Sequence, residues 1–249
     1  MSESHFEQER TERKEGGDQG NSSFLRRVRG FIDPNPIRAL ARREVAKALE
    51  EHLLGPEWHR QSQYLATLFA KELNLTQEQY IASLPKFGPR PESWKKRSGI
   101  PVIVETRVPL ERMLELAGIK VDSFNVNSII DWKKGKFRTP KSPYTTWLND
   151  GEVDLNTSVN HVRKSLKPDE RGATIYDGIA LCIRDRNLNV RERSRLLISN
   201  LPGSQIDFGF APRLARMSVD TWVYRHLDDD DGSNSGCVLV AGRKIKITN

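Results

Sequence analysis

Apolar residues recur every three or four positions at Ile37, Leu40, Ala41, Ala48, Leu49 and Leu53, the spacing of one helical face. Asn35 precedes Pro36 as N-cap and first helical residue, and Gly55 follows, so the pattern predicts a helix over 36–54. Pro56 opens a second helical pattern carried by Trp58, Leu65, Leu68, Phe69 and Leu73. A third, shorter one follows Thr76, with Gln79 placed to complete a capping box. The region from Phe24 to Pro85 therefore reads as helical.

The pattern breaks over 85–99, where Pro85, Gly88, Pro89, Pro91 and Gly99 stand among Lys86, Arg90, Lys95, Lys96 and Arg97. Prolines at that density exclude regular helix, so residues 86–99 read as a basic linker. Beyond it the period shortens. Residues 100–106 (IPVIVET) predict a buried strand, 109–117 a helix stopped by Gly118, and 124–132 and 144–148 two further strands. Residues 157–166 predict a helix closed by Pro168. The run 174–184 fits two readings: Thr174 and Asp177 form a capping-box pattern, yet Ile179 to Ile183 would serve as a buried strand. Strand patterns follow at 196–199, 221–224, 237–241 and 244–247, parted by Pro202-Gly203, Pro212 and Asp228 to Gly232. Helices and strands without strict alternation predict an α+β domain over 100–249, with a mixed, largely antiparallel sheet and packed helices.

Residues 1–23 stand apart. Six acids against three bases leave them at −3, and Phe6 is their one large apolar side chain after Met1. Such a segment buries too little to offset its ordering entropy, which predicts a disordered acidic tail. The whole chain carries +7, so the remainder carries +10. No stretch without a charged residue exceeds eleven, the length of Gly232 to Gly242, too short to span a bilayer, which excludes a membrane helix. Five glutamates near the start and no apolar run are unlike a signal or transit peptide. Two cysteines, Cys182 and Cys237, fit a reducing compartment. A cytoplasmic protein without a membrane partner is the expectation.

Most catalytic and cofactor patterns are missing. Five histidines and two cysteines are scattered without metal-ligand spacing, so no metal is expected. An EF-hand frame around Gly232 would put Leu227 and Val238 where carboxylates are required. No P-loop or dinucleotide fingerprint occurs, no cofactor is expected, and Ser204 lacks a nucleophile-elbow context.

Basic clusters are the signal that recurs. Arg26, Arg27 and Arg29 precede the first helix, and Arg38, Arg42 and Arg43 lie on it. Trp94, Lys95, Lys96 and Arg97 form a second cluster, and Trp132, Lys133, Lys134, Lys136, Phe137 and Arg138 a third. Arg184, Arg186, Arg191, Arg193 and Arg195 make a fourth. Cations interleaved with aromatic rings suit phosphates with a base stacked beside them. The leading expectation is a non-enzymatic protein that binds nucleic acid or a ribonucleoprotein surface. A rival is an enzyme of uncertain class, a hydrolase being one candidate, with Glu105, Asp169, Glu170 and Asp177 as carboxylates and Arg107 or Arg171 holding an anionic substrate. A third is an interaction module docking a partner on its N-terminal helices.

The strings PVIVETR (101–107), SPYTTW (142–147), DERGATIYDG (169–178), LPGS (201–204) and GSNSG (232–236) together resemble an uncharacterised bacterial protein family of unknown function. The resemblance spans about residues 100–243 and carries no activity. It implies that Arg107, Trp147, Asp169, Glu170, Arg171, Asp177 and Ser204 belong to one constellation.

Overall fold

A computed structural model describes residues 54–94, 99–149, 157–186, 198–206, 209–217, 220–227, 237–238, 240–242 and 246–247. These all fall within one compact unit that begins at Leu53. The acidic segment 1–23 and residues 36–53 of the helix expected over 36–54 lie outside the described residues.

The first described helix, α1, covers 54–69 and already runs through Gly55 and Pro56. Gly55 therefore does not stop a helix, as the sequence pattern suggests; it is carried inside one. Trp58, Ser62, Leu65, Ala66 and Phe69 form its buried face, at helical spacing. A 3-10 turn over Lys71–Leu73 ends at Asn74, which takes a left-handed conformation at φ 54°. Helix α2 (Gln77–Ala82) follows, with the expected capping box: Gln79 N–H donates to Thr76 Oγ1, and Thr76 N–H to Gln79 Oε1.

Strand β1 (Gly99–Val104), helix α3 (Leu110–Leu116) and strand β2 (Ile119–Val121) come next. Gly118 closes α3 at φ +56°, the conformation glycine adopts without steric cost. The strand expected over 124–132 is mostly absent. A 3-10 turn at Val126–Ser128, held by the Asn125 side chain on Asn127 N–H, leaves only β3 (Ile130–Asp131). Then follow β4 (Tyr144–Asn149), α4 (Val159–Ser165), β5 (Glu170–Gly172) and α5 (Ile175–Arg186). The remaining strands are β6 (Ile198–Asn200), β7 (Ser204–Gln205), β8 (Phe210–Met217), β9 (Asp220–Leu227), β10 (Cys237–Val238), β11 (Val240–Gly242) and β12 (Lys246–Ile247).

Among the described residues the strands form two five-stranded sheets and a short antiparallel pair, β3 with β7, and the chain is α+β. The first runs β1-β4-β11-β5 with β12 also on β4, antiparallel throughout. The second runs β10-β6-β8-β9-β2, antiparallel at its centre and parallel at both edges. The free edge of β1 is covered by a side chain: Gln61 of α1 donates to Pro101 O (2.8 Å) and accepts from Ile103 N–H (2.9 Å), as a neighbouring strand would.

Helix α5 settles the ambiguity of 174–184 in favour of helix. Thr174 N–H donates to Asp177 Oδ2 (2.7 Å) and Asp177 N–H reaches Thr174 Oγ1 (3.4 Å), so the capping box forms. The helix packs on β1 of the first sheet and, at Gly178, against Leu214 of the second and Leu201 beside it. Ile175, Ile179, Ala180, Leu181 and Ile183 are all buried. They share one core with Phe69, Tyr80, Val102, Met113, Leu148 and Val223, so residues on both sides of the proline-rich segment pack together. A smaller cluster gathers Trp94, Trp147, Val159, Val162, Ala211 and Val240.

Candidate anion-binding cavity

The third basic cluster is a short loop tied at its base. Asp131 accepts from Thr139 N–H (2.8 Å) and Thr139 Oγ1 (2.6 Å), and Gly135 N–H donates to Trp132 O to make the turn. Arg138 donates to the carbonyls of Gly135, Phe137 and Lys133, so its guanidinium is folded back on its own loop. Lys133, Lys134 and Lys136 are exposed as Arg138 is, but make none of these bonds to the loop carbonyls. Trp132 N–H donates to Gly203 O (2.9 Å) and attaches the loop to the turn before β7.

Facing the loop are α4, β5 and the residues between them. Ser158 caps α4 by accepting from His161 N–H, and the helix turns Arg163 inward with Val159 and Val162. Buried Arg163 donates to Pro202 O (3.0 Å), Ser204 O (3.1 Å) and Asn160 Oδ1 (3.4 Å), with its guanidinium 4.7 Å from the Trp132 ring centre. Arg171 of β5 lies 3.8 Å from the centre of the Phe137 ring. Between these walls is a cavity of about 350 Å³. Lys134, Lys136, Arg163, Lys167 and Arg171 line it with one carboxylate, Glu170. Glu170 is engaged, accepting from Trp94 Nε1 (2.7 Å) and Lys167 N–H (3.0 Å). Trp132, Phe137, Leu166 and Pro168 supply the apolar lining.

Behind the cavity, Arg171 donates to both oxygens of Asp177 (2.6 and 2.9 Å). Tyr144 Oη, Thr174 N–H and Thr174 Oγ1 also donate to that carboxylate, which is wholly buried. Burial by itself raises the Asp177 pKa, but the Arg171 charge and the bonds from Arg171 and Thr174 outweigh it and hold the carboxyl below its usual value. Ser204 Oγ accepts from Ile175 N–H (2.9 Å) at the start of α5.

Glu105 and Arg107 form a separate cluster just after β1. Arg107 grips Glu105 with two nitrogens (2.9 and 2.7 Å), Tyr80 Oη donates to it (2.7 Å), and the N–H groups of Thr106 and Arg107 fill its other oxygen. Burial and the adjacent Glu105 push the Tyr80 phenol well up. Tyr80→Phe is expected to lose about 1.5 kcal/mol of stability, at the low end for a hydrogen bond to a charged group, read as a shift in the urea midpoint; an unchanged midpoint would count against the bond.

The residues singled out in the sequence thus separate into three groups. Arg171 and Asp177 meet, Glu105 and Arg107 meet, and Asp169 and Glu170 hold the 92–94 turn, through Asp169 Oδ2 on Ser93 N–H and Glu170 on Trp94. Trp147 belongs with the last group and donates Nε1 to Gly88 O. The seven residues implied by the family resemblance therefore do not form one constellation: Arg107 bonds within the Glu105 cluster. Trp94 is wholly buried, so its ring is core and not a stacking surface. Arg184 pairs with Glu57 and Asp185, and Arg186 donates to Gly118 O. Arg26, Arg27, Arg29, Arg38, Arg42, Arg43, Lys95, Lys96 and Arg97 lie outside the described residues, as do Arg191, Arg193 and Arg195.

Arg163, Lys167, Gly172 and Gly203 were missed by reasoning from sequence. Arg163 did carry a signal, since it stands four residues after Val159 on the apolar face of its helix. Among the described residues no group of three or more His, Cys, Asp or Glu is placed to hold a metal ion, and no helix is long and apolar enough to cross a membrane. The chain matches no protein-family model, no curated protein and no solved structure. The cavity's own chemistry carries the functional argument.

Proposed function

We propose that the protein is a non-enzymatic, cytoplasmic nucleic-acid-binding protein that holds phosphates at the cleft between the 132–138 loop and the wall from Arg163 to Gly172. One observation carries the reading: five cationic side chains, from the loop, α4, the turn after it and β5, converge on a single cavity that holds one carboxylate. Cations drawn from separate elements cost mutual repulsion, which an anion between them offsets. Trp132 and Phe137 beside those cations supply the flat apolar surface a base needs. The carboxylates speak for binding over catalysis, because Glu105 and Asp177 have both oxygens filled by internal donors.

Reversing Lys134 and Lys136 together, Lys134→Glu with Lys136→Glu, tests the reading. Both side chains are exposed, and neither is used in the hydrogen bonds that tie the loop. Affinity for single strands of any sequence is expected to fall, and the slope of log affinity against log salt to shrink by about 0.7 for each phosphate no longer neutralised. An unchanged slope removes the cleft from the interface.

A further inference from the structure

We infer that the cavity takes a phosphate held by a single ester bond, the terminal phosphomonoester of a nucleotide unit. The inference rests on the nucleic-acid reading for its polymer and on the cavity alone for its selectivity.

Main chain seals one side. Gly172 and Gly203 both line the cavity, and their main chains cross so tightly that a Cβ on Gly172 would lie 2.5 Å from Gly203 N. An internal phosphodiester needs room to leave on two sides, whereas a terminal phosphate needs one opening. Size points the same way: about 350 Å³ lies at the lower end of the roughly 300–1,000 Å³ typical of small-ligand sites, room for about one nucleotide.

Charge narrows the ligand further. Five cations and one carboxylate line the cavity, with Lys167 at 4.0 Å from Glu170 and Arg171 paired with Asp177 behind the wall, so Lys134 and Lys136 on the loop are the cations most open to a ligand. A terminal phosphate carries about −1.5 to −2 near neutral pH, where each internal phosphodiester carries a single charge. Trp132, Phe137, Leu166 and Pro168 then provide for the sugar and base.

The test uses the full chain and one short single strand labelled in its middle, prepared with a 5′-phosphate, with a 3′-phosphate or with hydroxyls at both ends. Fluorescence anisotropy is expected to show one phosphorylated form binding about tenfold more tightly than the hydroxyl form. Lys134→Ala with Lys136→Ala should reduce that ratio to about threefold or less, while Arg112→Ala, on an exposed ion pair of α3, leaves it intact. Competition by adenosine monophosphate and by inorganic phosphate separates the sources. Displacement by the mononucleotide at the strand's own concentration assigns the cavity to a free nucleotide and still supports a phosphomonoester site. Equal affinity for all three strands overturns the inference and leaves phosphate-backbone binding standing. If strands fail to bind while the mononucleotide binds, the polymer reading falls and the cavity inference survives; if nothing binds, both fall.

Discussion

Asp177→Ala is expected to cost about 3–5 kcal/mol of folding stability, the range for removing one partner of a buried ion pair. The loss has little to do with the attraction itself. The carboxylate also receives Tyr144 Oη and the Thr174 N–H and hydroxyl, and its removal leaves the 4%-exposed Arg171 guanidinium without its counter-charge. It also removes the Thr174 N–H to Asp177 carboxylate half of the capping box that starts α5, the helix on which both sheets pack. Urea unfolding measures the effect, and a loss below about 1 kcal/mol would show that the pair is dispensable. Acid adds a second signature. Burial works against ionisation of Asp177, but Arg171 and Thr174 prevail and its folded pKa is depressed. A carboxyl with a depressed folded pKa gives stability that is full above its unfolded value of about 3.9 and is lost as pH falls through the lower folded one. The wild type should therefore lose this contribution below about pH 4, and the variant's stability should change less over the same interval.

The elements legible in the sequence are those whose local chemistry and tertiary role agree. Thr76 with Gln79 and Thr174 with Asp177 each form the cap their spacing suggests, and Gly118 ends α3 in the conformation that favours glycine. Strand β8 was hidden by Pro212, which reads as a break. Pro212 sits just beyond the end of the β6 ladder, where its carbonyl accepts from Leu201 N–H and its nitrogen, on the same side, has no ladder bond to make. Residues 124–132 erred the other way. Their apolar content suits a strand, but Asn125 and Ser128 bond within the segment and bend it into a turn.

The cavity was legible only on its loop side. Trp132, the lysines and Phe137 are consecutive, so their cluster is visible in one line of text. The opposite wall is Arg163 from a helix, Lys167 from a turn and Arg171 from a strand, three or more residues apart and mixed with Asp169 and Glu170, so they do not stand out as a basic cluster. Nor could composition separate Arg138 from its neighbours: all are cations in one loop, yet Arg138 is consumed by three loop carbonyls while Lys134 and Lys136 face the cavity. Trp94 shows the same limit, since a tryptophan before three basic residues is also what a core anchor looks like.

Two identical chemical changes are expected to have opposite signs. Gly172→Ala should destabilise the protein by about 3 kcal/mol, at the upper end for overpacking, because the added methyl would meet only main chain: Gly203 N at 2.5 Å, Pro202 C at 2.7 Å and Gly203 Cα at 3.0 Å. A side chain in the way could change rotamer; these atoms cannot. Recoil is blocked on both sides, since Gly172 pairs with Val240 in the first sheet and Gly203 N–H donates to Ala173 O. Gly55→Ala places the same methyl inside α1 with nothing within 4 Å and should stabilise by about 0.5–1 kcal/mol, through lost freedom of the unfolded chain. Thermal or urea unfolding of the two variants decides the matter, and a neutral Gly172→Ala would mean that the crossing is loose. Because Trp132 N–H is bonded to Gly203 O, displacing Gly203 also displaces the basic loop. Strand binding should therefore weaken with stability in Gly172→Ala, measured where the variant is still folded, and stay unchanged in Gly55→Ala.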